Sequence, residues 1–310
     1  MPNDTKIITE SEFPQVFGSF IRQPASFLVA FYACVRQLGI TTLRNQQVFV
    51  ARITQVAGMG VIIALFFAPL KNNYIGVSNR LGLVQEVTSL YFCGMLNNLS
   101  SYPDQRNYFY HEYDDRVYGI LPFFLSYMIV EIPFEIISSL IFAAFLGPIV
   151  GLPRTAEMFF SIAYVSFLIT FCGESLGIIT NTLFHHAGFA VNIVSIILSI
   201  GTFMAGIMSL QMDGVLKGIN WISPLKYGMG ILLNMALSDD VKFTCDDSSR
   251  DNQGNCIFSD GGDVLRQYNL KAPYKKFLGV LLAVAIIYRV IAYGILRLKL
   301  VKINLGSRKQ

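Results

Sequence analysis

The sequence predicts an all-α polytopic membrane protein: six transmembrane helices, an amphipathic cytosolic segment between the second and third, and a long outer loop containing re-entrant helices before the last span. Three observations predict it. Apolar residues make up 53% of the 310 and charged residues only 14%, with mean hydropathy +0.51, against roughly 25% charged residues in a soluble domain. The apolar residues gather in blocks near the ~20 residues needed to cross a hydrocarbon core of about 30 Å. Inside the blocks hydrophobicity is continuous rather than alternating, which selects helices over a barrel, the two structures that satisfy backbone polar groups in lipid. The formal charge of +4 is modest and gives no reason to expect a nucleic-acid partner.

Residues 1–47 read as a cytosolic N-terminal segment and connecting helix, since Asp4, Lys6, Glu10 and Glu12 leave no apolar core for a signal peptide. Residues 48–302 hold the spans: Val48 to Leu70, Leu81 to Leu99, Gly119 to Gly147, Met158 to Thr180, Phe189 to Leu210 and Phe277 to Leu300. Residues 211–276 form the outer loop and 303–310 a cytosolic tail. Basic residues set the orientation. Arg22, Arg36, Arg44 and Arg52 flank the first span, Arg106 and Arg116 lie between the second and third, and Arg297, Lys299, Lys302, Arg308 and Lys309 close the chain. Both termini are therefore expected in the cytosol. Residues 213–237 are apolar but broken by Gly218, Pro224, Gly228 and Gly230, which fits two short re-entrant helices better than a seventh span.

This orientation puts Cys245 and Cys256, in the polar run CDDSSRDNQGNC, in an oxidising compartment where a disulfide persists. Cys34, Cys93 and Cys172 fall in helical segments and read as apolar fillers. The phosphate-cradling pattern G-x-x-x-x-G-K-[ST] is absent from the 310 residues. No nucleophilic arrangement of Ser, Cys or Thr with His and an acid stands out. The pair His185-His186 has no cysteine or carboxylate at ligand spacing, so no metal site is expected. The chain itself is thus not expected to be an enzyme or to carry a cofactor. Gly173/Gly177 and Gly147/Gly151 match the small-xxx-small spacing of close helix packing.

Charges inside spans cost at least about 2.5–3.5 kcal/mol near the bilayer centre. Glu131, Glu135, Glu174 and Arg289 stand there. At 1.5 Å per residue, Glu131 lies about 18 Å from the inner end of its span and Arg289 a similar distance from the outer end of its own. An intramembrane ion pair of Glu131 with Arg289 is expected, with Glu174 as the second choice of acceptor. It serves either as a structural tie or as a polar relay that rearranges when the bundle moves.

Several stretches together resemble the membrane half of the ABCG (White) family of ATP-binding cassette exporters, over about Ser26 to Lys302. They are LRNQ from Leu43, KNNYIGVSNRLG from Lys71, FYHEY from Phe109 with EIP from Glu131, ISPLKYG from Ile222 and YRVIAYGILR from Tyr288. The resemblance implies a half-transporter that pairs with a second one, as homodimer or heterodimer, around a central cavity for lipids, sterols or hydrophobic compounds. ATP and Mg would act on a nucleotide-binding domain supplied in cis or in trans. By the same likeness residues 103–116 form the coupling helix. Tyr108, Phe109 and Tyr113 would lie in the interface, and Asp104, Arg106, Glu112, Asp114 and Arg116 would face water or the ATPase. The likeness also places Leu90, Cys93, Ser195, Leu198, Ser199 and Thr202 along the cavity, with Ile207 and Met208 closing it below the outer gate. A reading of another class is a non-transporting remnant or regulatory partner that dimerises with an intact half-transporter.

Overall fold

The computed structural model describes residues 24–184, 187–204, 214–238, 241–244, 258, 260–267, 270, 271 and 273–307. Ile207, Met208, the pair His185-His186 and both loop cysteines, Cys245 and Cys256, lie outside the described residues. The described residues are helical apart from turns and one isolated bridge between Lys242 and Asp260. In chain order the helices are α1 (Phe27–Arg44), α2 (Gln46–Phe67), α3 (Tyr74–Val87), α4 (Leu90–Asp114), α5 (Ile120–Val150), α6 (Ala156–Leu183), α7 (Ala187–Met204), α8 (Gly214–Asn220), α9 (Pro224–Ala236), α10 (Gly261–Gln267) and α11 (Tyr274–Ser307).

Among the described residues four stretches are long and apolar enough to cross a membrane: Val50–Phe67, Ile120–Val150, Ala156–Leu183 and Tyr274–Val301. Gly188–Phe203 is a shorter apolar helix. The second expected span, 81–99, is not one helix. Thr88 Oγ1 and Ser89 Oγ donate to the carbonyls of Gln85 (2.5 Å) and Glu86 (2.6 Å). Those carbonyls are thereby satisfied locally, and α3 ends where α4 begins. Past that break α4 runs through Pro103 to Asp114, so the expected coupling helix is the far end of a longer one. Pro103 contributes no N–H to that helix, and α4 nonetheless continues through it.

Two compact units make up the chain, Met1–Thr41 with Asp104–Val130, and Thr42–Pro103 with Glu131–Gln310. In the first, the Ala25 amide donates to the Val117 carbonyl at 2.9 Å and Ser126 Oγ to the Phe31 carbonyl at 3.2 Å. The fully buried ring of Phe109 lies flat on Phe123, centroids 4.1 Å apart.

The second unit is built around α6, buried along most of its length. Thr155 caps its start by accepting from the Met158 amide at 3.2 Å, directly after the Gly-Leu-Pro-Arg turn. Helix α11 packs on α6 and α9, and α9 on α6. Glycines set the distance between α4 and α6. A Cβ on Gly173 would stand 2.1 Å from the Tyr91 carbonyl oxygen, and one on Gly94 2.3 Å from that of Thr170. One turn further on, Asn181 Nδ2 donates to Asn98 Oδ1 at 3.1 Å, both residues being buried. The broken segment forms the two short helices α8 and α9. Ser223 precedes Pro224 at the first turn of α9, where the missing proline N–H leaves no helical bond unmade.

Candidate functional site

Five ionisable side chains meet inside the second unit, brought by α2, α5, α6 and α11. Arg52 pairs with Glu131, the two side chains 2% and 4% exposed. Arg289 Nη2 donates to Glu174 Oε2 at 3.1 Å, the pair 4% and 2% exposed. The guanidinium carbon of Arg289 also sits 3.9 Å from the centre of the Phe171 ring. Glu131 lies in the field of Glu174 and of Arg289, and the buried Glu135 lies beside Glu174. Three carboxylates and two guanidiniums therefore form one network.

This corrects the expected pair. Glu131 and Arg289 share the network, but each bonds to another residue, and Arg289 takes the second-choice acceptor Glu174. Depth along the bundle axis fixes one coordinate only, and α11 packs against α6, which presents Glu174. Arg52 was read as a cytosolic flank of the first span. It lies six residues inside α2, about 9 Å from its start, and reaches Glu131 instead. Its place four residues inside the span drawn from Val48 is the sequence signal for this role.

In the first unit the coupling segment is held by aromatic and polar contacts. The Tyr118 hydroxyl donates to Glu112 Oε2, which ties the helix end to the turn that follows. Burial, with the Glu112 carboxylate beside it, pushes the Tyr118 phenol well above its ordinary range, so it remains a donor. Cys34 is buried against Tyr118, and burial pushes its thiol up, in keeping with a filler role. One expected water-facing residue of this segment is buried instead. Arg106 is buried, with its guanidinium 5.6 Å from the Tyr110 ring centre, whereas Tyr108 is 70% exposed. Phe109 is fully buried, Asp114 and Arg116 are exposed, and Glu112 is half-buried. Arg116 takes a φ of 54°, the left-handed geometry that reverses the chain after α4.

Residues 29–237 match the ABC-2 type transporter membrane-domain family. The chain belongs to this family. It is 50% identical over 292 residues, 94% of its length, to an uncharacterised ABC transporter ATP-binding protein/permease of Saccharomyces cerevisiae. It is 25% identical over 275 residues, 88% of its length, to ABC transporter G family member STR2 of Petunia hybrida. Over 137 residues, 44% of its length, it is 25% identical to the broad substrate specificity ATP-binding cassette transporter ABCG2 of Rattus norvegicus. It spans 23%, 37% and 21% of those three relatives.

Within this ABC-2 domain the expected lining positions divide. Leu90 is fully buried inside the chain, and Cys93 is half-buried on the same helix. On α7, Ser199 is exposed while Ser195, Leu198 and Thr202 are half-buried. The hydroxyls of Ser195, Ser199 and Thr202 donate to the carbonyls of Val191, Ser195 and Leu198 at 2.8 to 3.0 Å. Their donors are spent on their own helix, which leaves α7 with a weakly polar surface. Sequence reasoning missed Arg80, which donates to the carbonyl of Lys71 (2.9 Å) and to Asn72 Oδ1 (2.6 Å). Asn72 in turn accepts from the Thr244 amide at 2.7 Å. This network ties the start of α3 to the loop before α10, and its signal was the KNNY run itself.

Proposed function

We propose that this chain is the membrane half of an ATP-driven ABCG-type exporter or flippase of lipids, sterols or other hydrophobic compounds. It spans the membrane six times with both termini cytosolic; α3 and α4 together make the second span, and α8 and α9 re-enter from the outer side. It pairs with a second half-transporter, and ATP with Mg2+ acts on a nucleotide-binding domain in cis or in trans. The yeast relative named as both ATP-binding protein and permease supports the first arrangement. The weakly polar surface of α7 suits flat apolar cargo, since cavities for such molecules are lined by apolar groups with few polar ones.

The observation that carries the reading is the anchoring of the coupling segment by the Tyr118–Glu112 bond and the Phe109–Phe123 stack. A helix that passes force from an ATPase to the membrane helices has to be stiff at its end. With the chain joined to a working ATPase domain and reconstituted in vesicles, Glu112→Ala and Tyr118→Phe are both expected to lower transport per ATP hydrolysed. Each removes one half-buried hydrogen bond to a carboxylate, at most about 1.5–3 kcal/mol, and leaves assembly intact. Unchanged transport per ATP in both variants would reject the coupling role, and no transport by the parent would favour the regulatory-partner reading.

The topology also implies a disulfide between Cys245 and Cys256. It would close a loop of about ten residues, contributing roughly 2–3 kcal/mol on the chain-entropy model. Non-reducing peptide mapping of protein recovered from cells is expected to show the two cysteines joined. Two free thiols there would mean that the topology or the pairing is wrong.

A further inference from the structure

The turn between α8 and α9 sets cations at a depth where, among the described residues, no carboxylate lies within ion-pair distance. The Tyr288 hydroxyl donates to the Ile222 carbonyl at 3.4 Å. Tyr288 follows Tyr274 by fourteen residues in the apolar stretch Tyr274–Val301. At 1.5 Å per residue it is about 21 Å along a helix of about 42 Å. The turn thus lies one tyrosine side chain away from mid-height of a membrane-crossing helix, whichever end faces outward.

At this turn Trp221 is 60% exposed, and the Lys226 ammonium lies 4.2 Å from its ring centre. Lys217, exposed on α8, is near enough to repel Lys226. Val215, Leu216, Ile219 and Ile222 are exposed around them. Among the described residues neither lysine has a carboxylate within ion-pair distance, and Glu131 and Glu174 are taken by Arg52 and Arg289. An aromatic ring offsets only part of the cost of holding an ammonium at such depth. In a bilayer the available anion attached to apolar chains is a lipid phosphate.

We propose that Lys217 and Lys226, backed by Trp221, hold the phosphate of a phospholipid headgroup drawn down beside this turn, its acyl chains lying along Val215, Ile219 and Ile222. Lysine suits this role as a compact charge that meets phosphate oxygens from any direction. The site is built from α8 and α9 rather than from the hydroxyls of α7, and it requires only that α11 crosses a membrane, not that the chain transports anything.

The test uses the full chain purified in a neutral detergent. Three probes are added in turn: phosphatidylglycerol, diacylglycerol with the same acyl chains, and inorganic phosphate. Phosphatidylglycerol is expected to raise the unfolding temperature and to remain bound in native mass spectrometry, and the other two to do neither. In Lys217→Met/Lys226→Met both signals fall to background while unfolding in detergent alone is unchanged. Should that double variant not fold, Lys217→Gln, on the exposed helix, is expected to lower retention by itself. Equal retention in the lysine variants overturns the proposal. So does an equal shift with diacylglycerol, which needs no phosphate, or with inorganic phosphate, which needs no lipid. Disulfide-linked pairs formed by Trp221→Cys in lipid nanodiscs would assign the turn to a second copy of the chain.

Discussion

Arg289→Met is expected to destabilise the membrane domain by about 3–5 kcal/mol, the cost of stranding the other member of a buried ion pair. Glu174 would be left at 2% exposure with its 3.1 Å donor gone. Arginine cannot escape such a site by losing its proton, so Glu174→Gln alone should be harmful by a similar route. The double variant Arg289→Met/Glu174→Gln removes both charges and is expected to recover a good part of the loss. Thermal unfolding in detergent supplies the four corners of the cycle, with a coupling energy of about 0.5–3 kcal/mol expected for groups in contact. Simple additivity would show that the two side chains do not meet. The same cycle with Glu131 in place of Glu174 should give a smaller coupling, because Glu131 bonds to Arg52. Recovery of stability without recovery of transport would favour a relay over a structural tie.

The contrast between the two acceptors shows what the sequence carries. That Glu131, Glu174 and Arg289 need partners follows from the cost of charge in lipid, which any hydropathy reading exposes. Which carboxylate meets which guanidinium depends on helix neighbours, and periodicity says nothing of those. Arg52 was hidden for a related reason: basic residues near a span end mark the cytosolic side, and a position four residues inside the boundary serves both readings. The break at Thr88-Ser89 was hidden because hydroxyls that bond back to the preceding turn, as these two do, also stand inside unbroken helices such as α7. On the coupling segment the amphipathic pattern sent Phe109 to the interface and Arg106 to water, and both are buried within the chain. A guanidinium packed on Tyr110 buries a charge that sequence patterning sends to water.

The glycine pairs carry the other large effect. Gly173/Gly177 and Gly147/Gly151 share one spacing, yet only the first pair meets another helix. A Cβ at Gly173 would stand 2.1 Å from the Tyr91 oxygen and 3.2 Å from the Met95 nitrogen, and one at Gly177 2.6 Å from Asn98 Cβ. At Gly173 the obstacles are backbone atoms of α4, which cannot rotate aside, so the helices must separate and lose the Asn98–Asn181 bond. Gly147 has nothing within 4 Å of its would-be Cβ, and Gly151 ends α5 with a φ of +94°. Gly173→Val is therefore expected to cost at or above the upper end of the ~1–3 kcal/mol typical of overpacking, with Gly173→Ala smaller in the same direction. Gly147→Ala meets no other helix, but it puts a Cβ on the helical residue before Pro148, so its cost should be small and confined to that local clash, below that of Gly173→Ala. Unfolding temperature and size-exclusion profile read both. A Gly173→Val variant as stable as the parent would mean that α4 and α6 do not cross at these glycines. Damage from Gly147→Ala as large as that from Gly173→Val would mean that α5 meets a surface there beyond the local clash with Pro148.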